Sequence, residues 1–168
     1  LIGDDLSLRL LSQNIVMEKN SELRSQYYRA MGYSRQLSAL SILSRALKTE
    51  TDTTIQKNIA EGLGILLSGD SSAWIISEDT LEQLALLSQS PTALGVSAAF
   101  ALSQYKGESK KIPFNTILTA LSKNPFPYGR ALLIRSLARV ENPQVTTALL
   151  SNLAGNNPTP IRVESAKS

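Results

Sequence analysis

Apolar residues recur at three- and four-residue spacing along most of the chain, and no stretch alternates residue by residue long enough for a strand. A period near 3.6 marks helices that bury one stripe each. Leu81, Leu84, Ala85 and Ser88 show it; so do Ile117, Leu118 and Leu121, and Val145, Leu149, Leu150 and Leu153. The pattern predicts helices in pairs. The first member of each pair, A, is expected over 5–19, 35–49, 79–88, 113–123 and 143–153. The second, B, is expected over 22–33, 54–67, 91–105, 128–140 and from 160 onward. Short connections between them require neighbouring helices to run antiparallel. Residues 74–76 are the one ambiguous patch, an extended or helical lead-in to the third A helix.

Helix starts carry local chemistry. Ser90-Pro91, Asn142-Pro143 and Thr159-Pro160 each put a capping oxygen before a proline, whose missing N–H costs nothing at a first helical position. Thr53 with Gln56, and Asp79 with Glu82, have capping-box spacing. Gly69-Asp70-Ser71-Ser72, Lys106-Gly107-Glu108-Ser109 and Gly155-Asn156-Asn157-Pro158 read as loops.

The B segments also repeat. Segments 23–33, 55–65, 94–104, 129–139 and the shorter 161–168 align without gaps at intervals of 32 to 39 residues. A period in that range is the mark of stacked helical repeats. Each pair is amphipathic on both sides and buries its apolar faces only against its neighbours. Ala30, Ala60, Gly62, Ala98, Ala99, Ala101, Ser136 and Ala138 keep the B helices slim enough for close approach.

Leu23-Arg24 leads to Ala30-Met31-Gly32, Ile55-Gln56 to Gly62-Leu63-Gly64, and Leu94-Gly95 to Ala101-Leu102-Ser103. Gly129-Arg130 leads to Ser136-Leu137-Ala138, and Ile161-Arg162 to Ser165-Ala166. This grammar resembles the B helices of HEAT repeats and related armadillo-type solenoids. Gln56 and Gly95 depart from the usual arginine, and the A helices lack the usual internal proline. The resemblance implies an all-α, right-handed α–α superhelix of about five helix pairs, the last incomplete, forming one domain over residues 1–168. It also implies a segment of a longer array, with self-association through an uncapped end as the alternative, because solenoids need polar caps.

Composition narrows the chemistry. The 168 residues are 42% apolar and 18% charged, as in an ordinary globular domain. There is no cysteine and no histidine, which removes thiol nucleophiles, disulfides, Cys/His zinc sites and imidazole catalysis. No cofactor, metal site or catalytic residue is expected. Glu78, Asp79 and Glu82 gather at a helix start, where the helix dipole accounts for them. Gly62-Leu63-Gly64 lies inside a predicted helix and follows no strand, so repeat packing explains it better than a phosphate loop. Trp74 reads as an inter-repeat filler. No membrane span or basic secretory leader is visible, Asp4 and Asp5 standing where a leader would be basic. A cytoplasmic location is the expectation, with the periplasm open because a cleaved leader leaves no trace.

Net charge is +3 but uneven: residues 1–84 carry 8 basic and 11 acidic side chains, residues 85–168 carry 9 and 3. In solenoids of the kind resembled, B helices line the concave face. Positions three, six and ten residues after the first aliphatic form one stripe there. From it come the expected partner contacts: Arg29, Tyr33, Phe100, Gln104, Arg135 and Arg139. Tyr33 and Tyr128 suit surface contact and Tyr27 the core; Arg24, Arg130 and Arg162 suit bridges between repeats. The leading expectation is a non-enzymatic scaffold that binds a protein or peptide. The alternative is nucleic-acid binding through Arg130, Arg135, Arg139, Lys110, Lys111 and Lys123. The acid in an aromatic-lined basic cleft that HEAT-like glycosylases use has no match here, and nothing marks the ligand pocket of a lyase-like or regulatory HEAT domain.

Overall fold

The computed structural model describes residues 5–69, 76–154 and 157–167. It is all-α: the described residues contain ten α-helices and no strand. The A helices are α1 (Asp5–Met17), α3 (Leu37–Thr49), α5 (Glu78–Leu87), α7 (Phe114–Lys123) and α9 (Pro143–Asn152). The B helices are α2 (Ser21–Met31), α4 (Thr53–Ser68), α6 (Ala93–Gln104), α8 (Pro127–Leu137) and α10 (Thr159–Lys167). Each A helix packs on the B helix that follows it. The B helices stack in chain order, α2 on α4, α4 on α6, α6 on α8 and α8 on α10. A thinner A layer runs from α3 through α5 and α7 to α9.

The B helices run parallel, because paired positions advance together along the seam. Ser25 meets Asn58 and Arg29 meets Glu61 between α2 and α4. Glu61 meets Ser97, and Gly64 lies against Phe100 and Ala101, between α4 and α6. Buried Leu43, Leu47, Ile59, Leu63, Leu81, Leu84, Ile117 and Leu133 fill the space between the layers. The tightest seam is glycine on glycine. A Cβ built on Gly32 would stand 2.4 Å from the carbonyl oxygen of Gly62, and one on Gly62 would stand 2.7 Å from that of Tyr28.

The residue that opens each B segment holds the same place in its helix to within one position. Leu23, Ile55, Gly129 and Ile161 are third in their helices and Leu94 is second. Ile55, Leu94, Gly129 and Ile161 are buried, whereas Leu23 is 48% exposed.

Several helix starts differ from expectation, each because a neighbouring oxygen is better placed. Asp52, not Thr53, caps α4 and accepts from the Thr54 and Ile55 N–H groups; Gln56 turns back to donate to the Glu50 carbonyl. Ser77 caps α5, leaving Asp79 in the first turn and Glu82 accepting from the Thr116 hydroxyl. Thr92 caps α6, so Pro91 lies outside the helix. Thr159 is already helical, and the Pro158 carbonyl takes the first N–H groups of α10. Asn142 caps α9 as expected. Arg35, expected to open the second A helix, adopts φ 53° after a short 3₁₀ turn at Gly32–Ser34, and the helix begins at Leu37. Trp74 and the centres of the 69–72 and 155–158 loops lie outside the described residues. No helix among the described residues is long and apolar enough to cross a membrane.

Candidate binding face

The stripe three, six and ten residues after the first aliphatic runs along the exposed side of the B layer, but its inner column is sealed. Asn58, Ser97 and Leu132 are buried in the seams. Asn58 Nδ2 donates to Ser25 Oγ at 2.7 Å, and the Ser25 hydroxyl donates in turn to the Glu22 carbonyl. These bonds satisfy amide and hydroxyl groups that burial would otherwise penalise.

The next column is charged in every pair but the third, where Phe100 stands. Glu61 sits at its centre, taking Arg29 Nε at 3.1 Å, Lys57 Nζ at 3.4 Å and the Ser97 hydroxyl at 3.2 Å. One carboxylate thereby joins three consecutive helix pairs. Arg135 grips Glu164 along one edge of its guanidinium, Nε donating to Oε2 at 3.1 Å and Nη2 to Oε1 at 2.9 Å. Lys167 adds a longer contact of 3.7 Å to the same carboxylate. Arg135, first by hydrogen bonding and then by charge, holds the Glu164 carboxyl below its ordinary value. The same bond raises Arg135.

Arg139 is fastened differently. Its Nη1 donates to the Tyr105 carbonyl at 3.2 Å and its Nη2 to the Gly107 carbonyl at 2.8 Å. It thus pins the end of α8 to the loop after α6. Burial pushes the neighbouring Tyr105 phenol up. Phe100 is half-buried because its ring occupies the space a side chain at position 64 would need; a Cβ on Gly64 would be 2.4 Å from it. Gln104 donates to the Ser103 hydroxyl at 3.2 Å. Tyr33 stands 53% exposed at the end of α2.

The six stripe residues therefore divide. Arg29, Arg135 and Arg139 tie helix pairs to one another, Phe100 and Gln104 are partly covered, and Tyr33 is open. Sequence reasoning left out two participants. Glu61 stands in the same column as Arg29 and Arg135, and opposite charges in one column of consecutive repeats were the available signal; Glu164 stands one column in, with Asn58 and Ser97. Tyr128, exposed at the start of α8, lies two turns before Arg135 on the same face and adds to its electrostatic environment.

The basic C-terminal half is similarly engaged. Lys110 and Lys111 both bond Glu108, whose carboxyl those hydrogen bonds lower to about 2. Lys123 donates to the Gln89 side chain at 3.0 Å. Arg24 bridges to Glu50 at 3.7 Å, a link between the first and second pairs. Arg130 Nε is buried without a hydrogen-bond partner among the described residues. Lys48 bonds Asp79 at 3.1 Å, so that acid too serves the stack. No protein-family model and no curated protein matches this sequence.

Proposed function

We propose that this chain is a HEAT-like interaction scaffold, not an enzyme, and that a protein or peptide partner lies across the B-helix face. One observation carries the proposal. The face carries two charged clusters fixed by bonds between repeats, Arg29 with Glu61 and Arg135 with Glu164, on either side of Phe100, with Tyr33 and Tyr128 standing exposed. Pre-fixed side chains lose little freedom when a partner arrives, and exposed tyrosines supply large contact area at low entropic cost. Glu61 and the Arg135–Glu164 pair present acceptors and donors in alternation, which suits a polypeptide backbone or mixed side chains. The cytoplasm remains the proposed compartment.

A polyanion fits this face less well. Phosphate binding draws on free cations, and Arg135, Lys110 and Lys111 already hold carboxylates.

The test pans a displayed peptide library on the immobilised chain and remeasures the enriched peptides on the Y33S/Y128S double variant. Both positions are exposed, so the fold is retained. A drop in affinity of about tenfold or more is expected, since aromatic anchors dominate such contacts. Enriched peptides that bind the double variant unchanged would remove the face from consideration. Duplex DNA binding that weakens steeply between two salt concentrations would replace the proposal with the nucleic-acid alternative.

A further inference from the structure

The two end faces of the stack are complementary halves of the seam that joins its interior pairs. The turn before α2 repeats three hydrogen bonds of the turn before α4. Glu50 Oε1 accepts from the Asp52 N–H, and Asp52 caps the helix through the Thr54 and Ile55 N–H groups. Glu18 Oε1 accepts from the Asn20 N–H, and Asn20 caps through the Glu22 and Leu23 N–H groups. Glu18 therefore holds the place of Glu50.

At the interior seam, Glu50 receives Arg24 of the preceding pair, the residue directly after the first aliphatic. The same two positions meet again further along, where a Cβ on Gly95 would stand 3.2 Å from the Asn124 side chain. In the last pair Arg162 occupies the position of Arg24. It is exposed, and neither it nor Glu18 has a salt bridge among the described residues. The α1–α2 face carries the acid of this bridge and the α9–α10 face carries its arginine.

The apolar positions follow the same division. Ala60, Ala99 and Ile134 are buried, but their equivalent Ala166 is exposed. Ala131 is buried and its equivalent Val163 is 42% exposed. At the other end Leu23 is open where Ile55, Leu94 and Ile161 are covered. Gln26 is open where Asn58 and Ser97 bond the preceding B helix. Along α1, Leu6, Leu10, Val16 and Met17 are exposed.

We propose that copies of this chain stack head to tail, the α9–α10 face of one seated on the α1–α2 face of the next, with Arg162 bridging to Glu18 of the next copy. Charge selects this arrangement over its rivals. Two α1–α2 faces would set Glu18 against Glu18, and two α9–α10 faces would set Arg162 against Arg162. Head-to-tail docking pairs unlike signs, and the excess of acid in residues 1–84 and of base in residues 85–168 steers it. Such an interface is heterologous and does not close on itself at two copies. The proposal rests on the stacking of the helix pairs and not on the B-helix face.

Sedimentation velocity on the full 168-residue chain over a wide concentration range tests it. Average mass should rise with concentration and pass beyond the dimer. E18R alone and R162E alone should each weaken association about tenfold, since each replaces an attraction by a repulsion. An equimolar mixture of the two should regain wild-type association, because every junction then pairs unlike charges. V163E, at an exposed position that leaves the helical circular dichroism unchanged, should also weaken association. A wild-type chain that stays monomeric at the highest concentration overturns the proposal and leaves these faces to a different protein or to further helix pairs of one polypeptide. Association that stops at a dimer, ignores both charge reversals, or is not regained in the mixture also overturns it.

Discussion

Gly32 and Gly62 decide how closely α2 and α4 approach. In an isolated helix, glycine to alanine gains about 1 kcal/mol of propensity. Here the added methyl would press on backbone oxygens of the neighbouring helix, 2.4 Å away for Gly32 and 2.7 Å for Gly62. Backbone on a packed seam yields only by shifting a whole helix, so overpacking wins. G32A and G62A should each lower stability by about 1–3 kcal/mol in chemical denaturation. G69A is the control: among the described residues its Cβ would meet only the Leu66 carbonyl, at 3.3 Å, and a change under about 0.5 kcal/mol is expected. A G62A protein as stable as wild type would show that the seam is looser than drawn. The small residues were legible in the sequence because size is written in residue type. Asn124 was not. It is buried, donates to the Ser88 carbonyl at 2.9 Å and accepts from the Phe126 N–H at 2.9 Å, joining the third pair to the fourth. An asparagine between a lysine and a proline looks like any loop residue until tertiary contacts supply its carbonyl.

Helix ends show where local rules compete. Residues 50–56 offer four capping residues in a row, Thr51 to Thr54, and spacing alone favours Thr53 with Gln56. Asp52 wins because its carboxylate reaches two N–H groups and carries a charge that suits the helix N-terminus. D52A should therefore cost about 1 kcal/mol, and T53A much less, by thermal melting of the two variants side by side. Equal losses would restore the capping box. The same scale governs how α10 is held. Arg135 lowers the Glu164 carboxyl from its ordinary 4.5 by favouring the charged form in the folded state. That contribution is complete above the ordinary value and is lost as pH falls through the folded one. The pair is partly exposed, so its whole effect is under about 1 kcal/mol. The stability advantage of wild type over R135Q should be constant near neutrality and shrink below about pH 4. An advantage that persists unchanged at pH 2.5 would mean that the guanidinium acts by packing alone.

Over the whole molecule, pair-by-pair stacking makes stability a matter of position. An interior pair is covered on two sides and an end pair on one, so local opening should cost least at the ends. The B column has its most extensive seams at α4, which meets α2 and α6, and α6, which meets α4 and α8. Their packed faces include fully buried Ile55, Ile59, Leu63, Ala98 and Ala99. By contrast α1 leaves Leu6, Leu10 and Met17 in solvent, and α10 leaves Val163. The repeat period made this architecture readable, since equivalent residues in successive segments needed no knowledge of the seam geometry. The period did not reveal that Arg139 is bonded to backbone carbonyls after α6, because a column of side chains does not show which carbonyls stand across from it. Amide hydrogen exchange measures the consequence directly. At low protein concentration, amides of α4 and α6 should exchange slowest and those of α1 and α10 fastest. If the stack is continued by other copies, raising the concentration should slow α1 and α10 selectively and leave α6 unchanged. Uniform protection from α1 to α10 at low concentration would contradict pairwise stacking and indicate a single cooperative bundle.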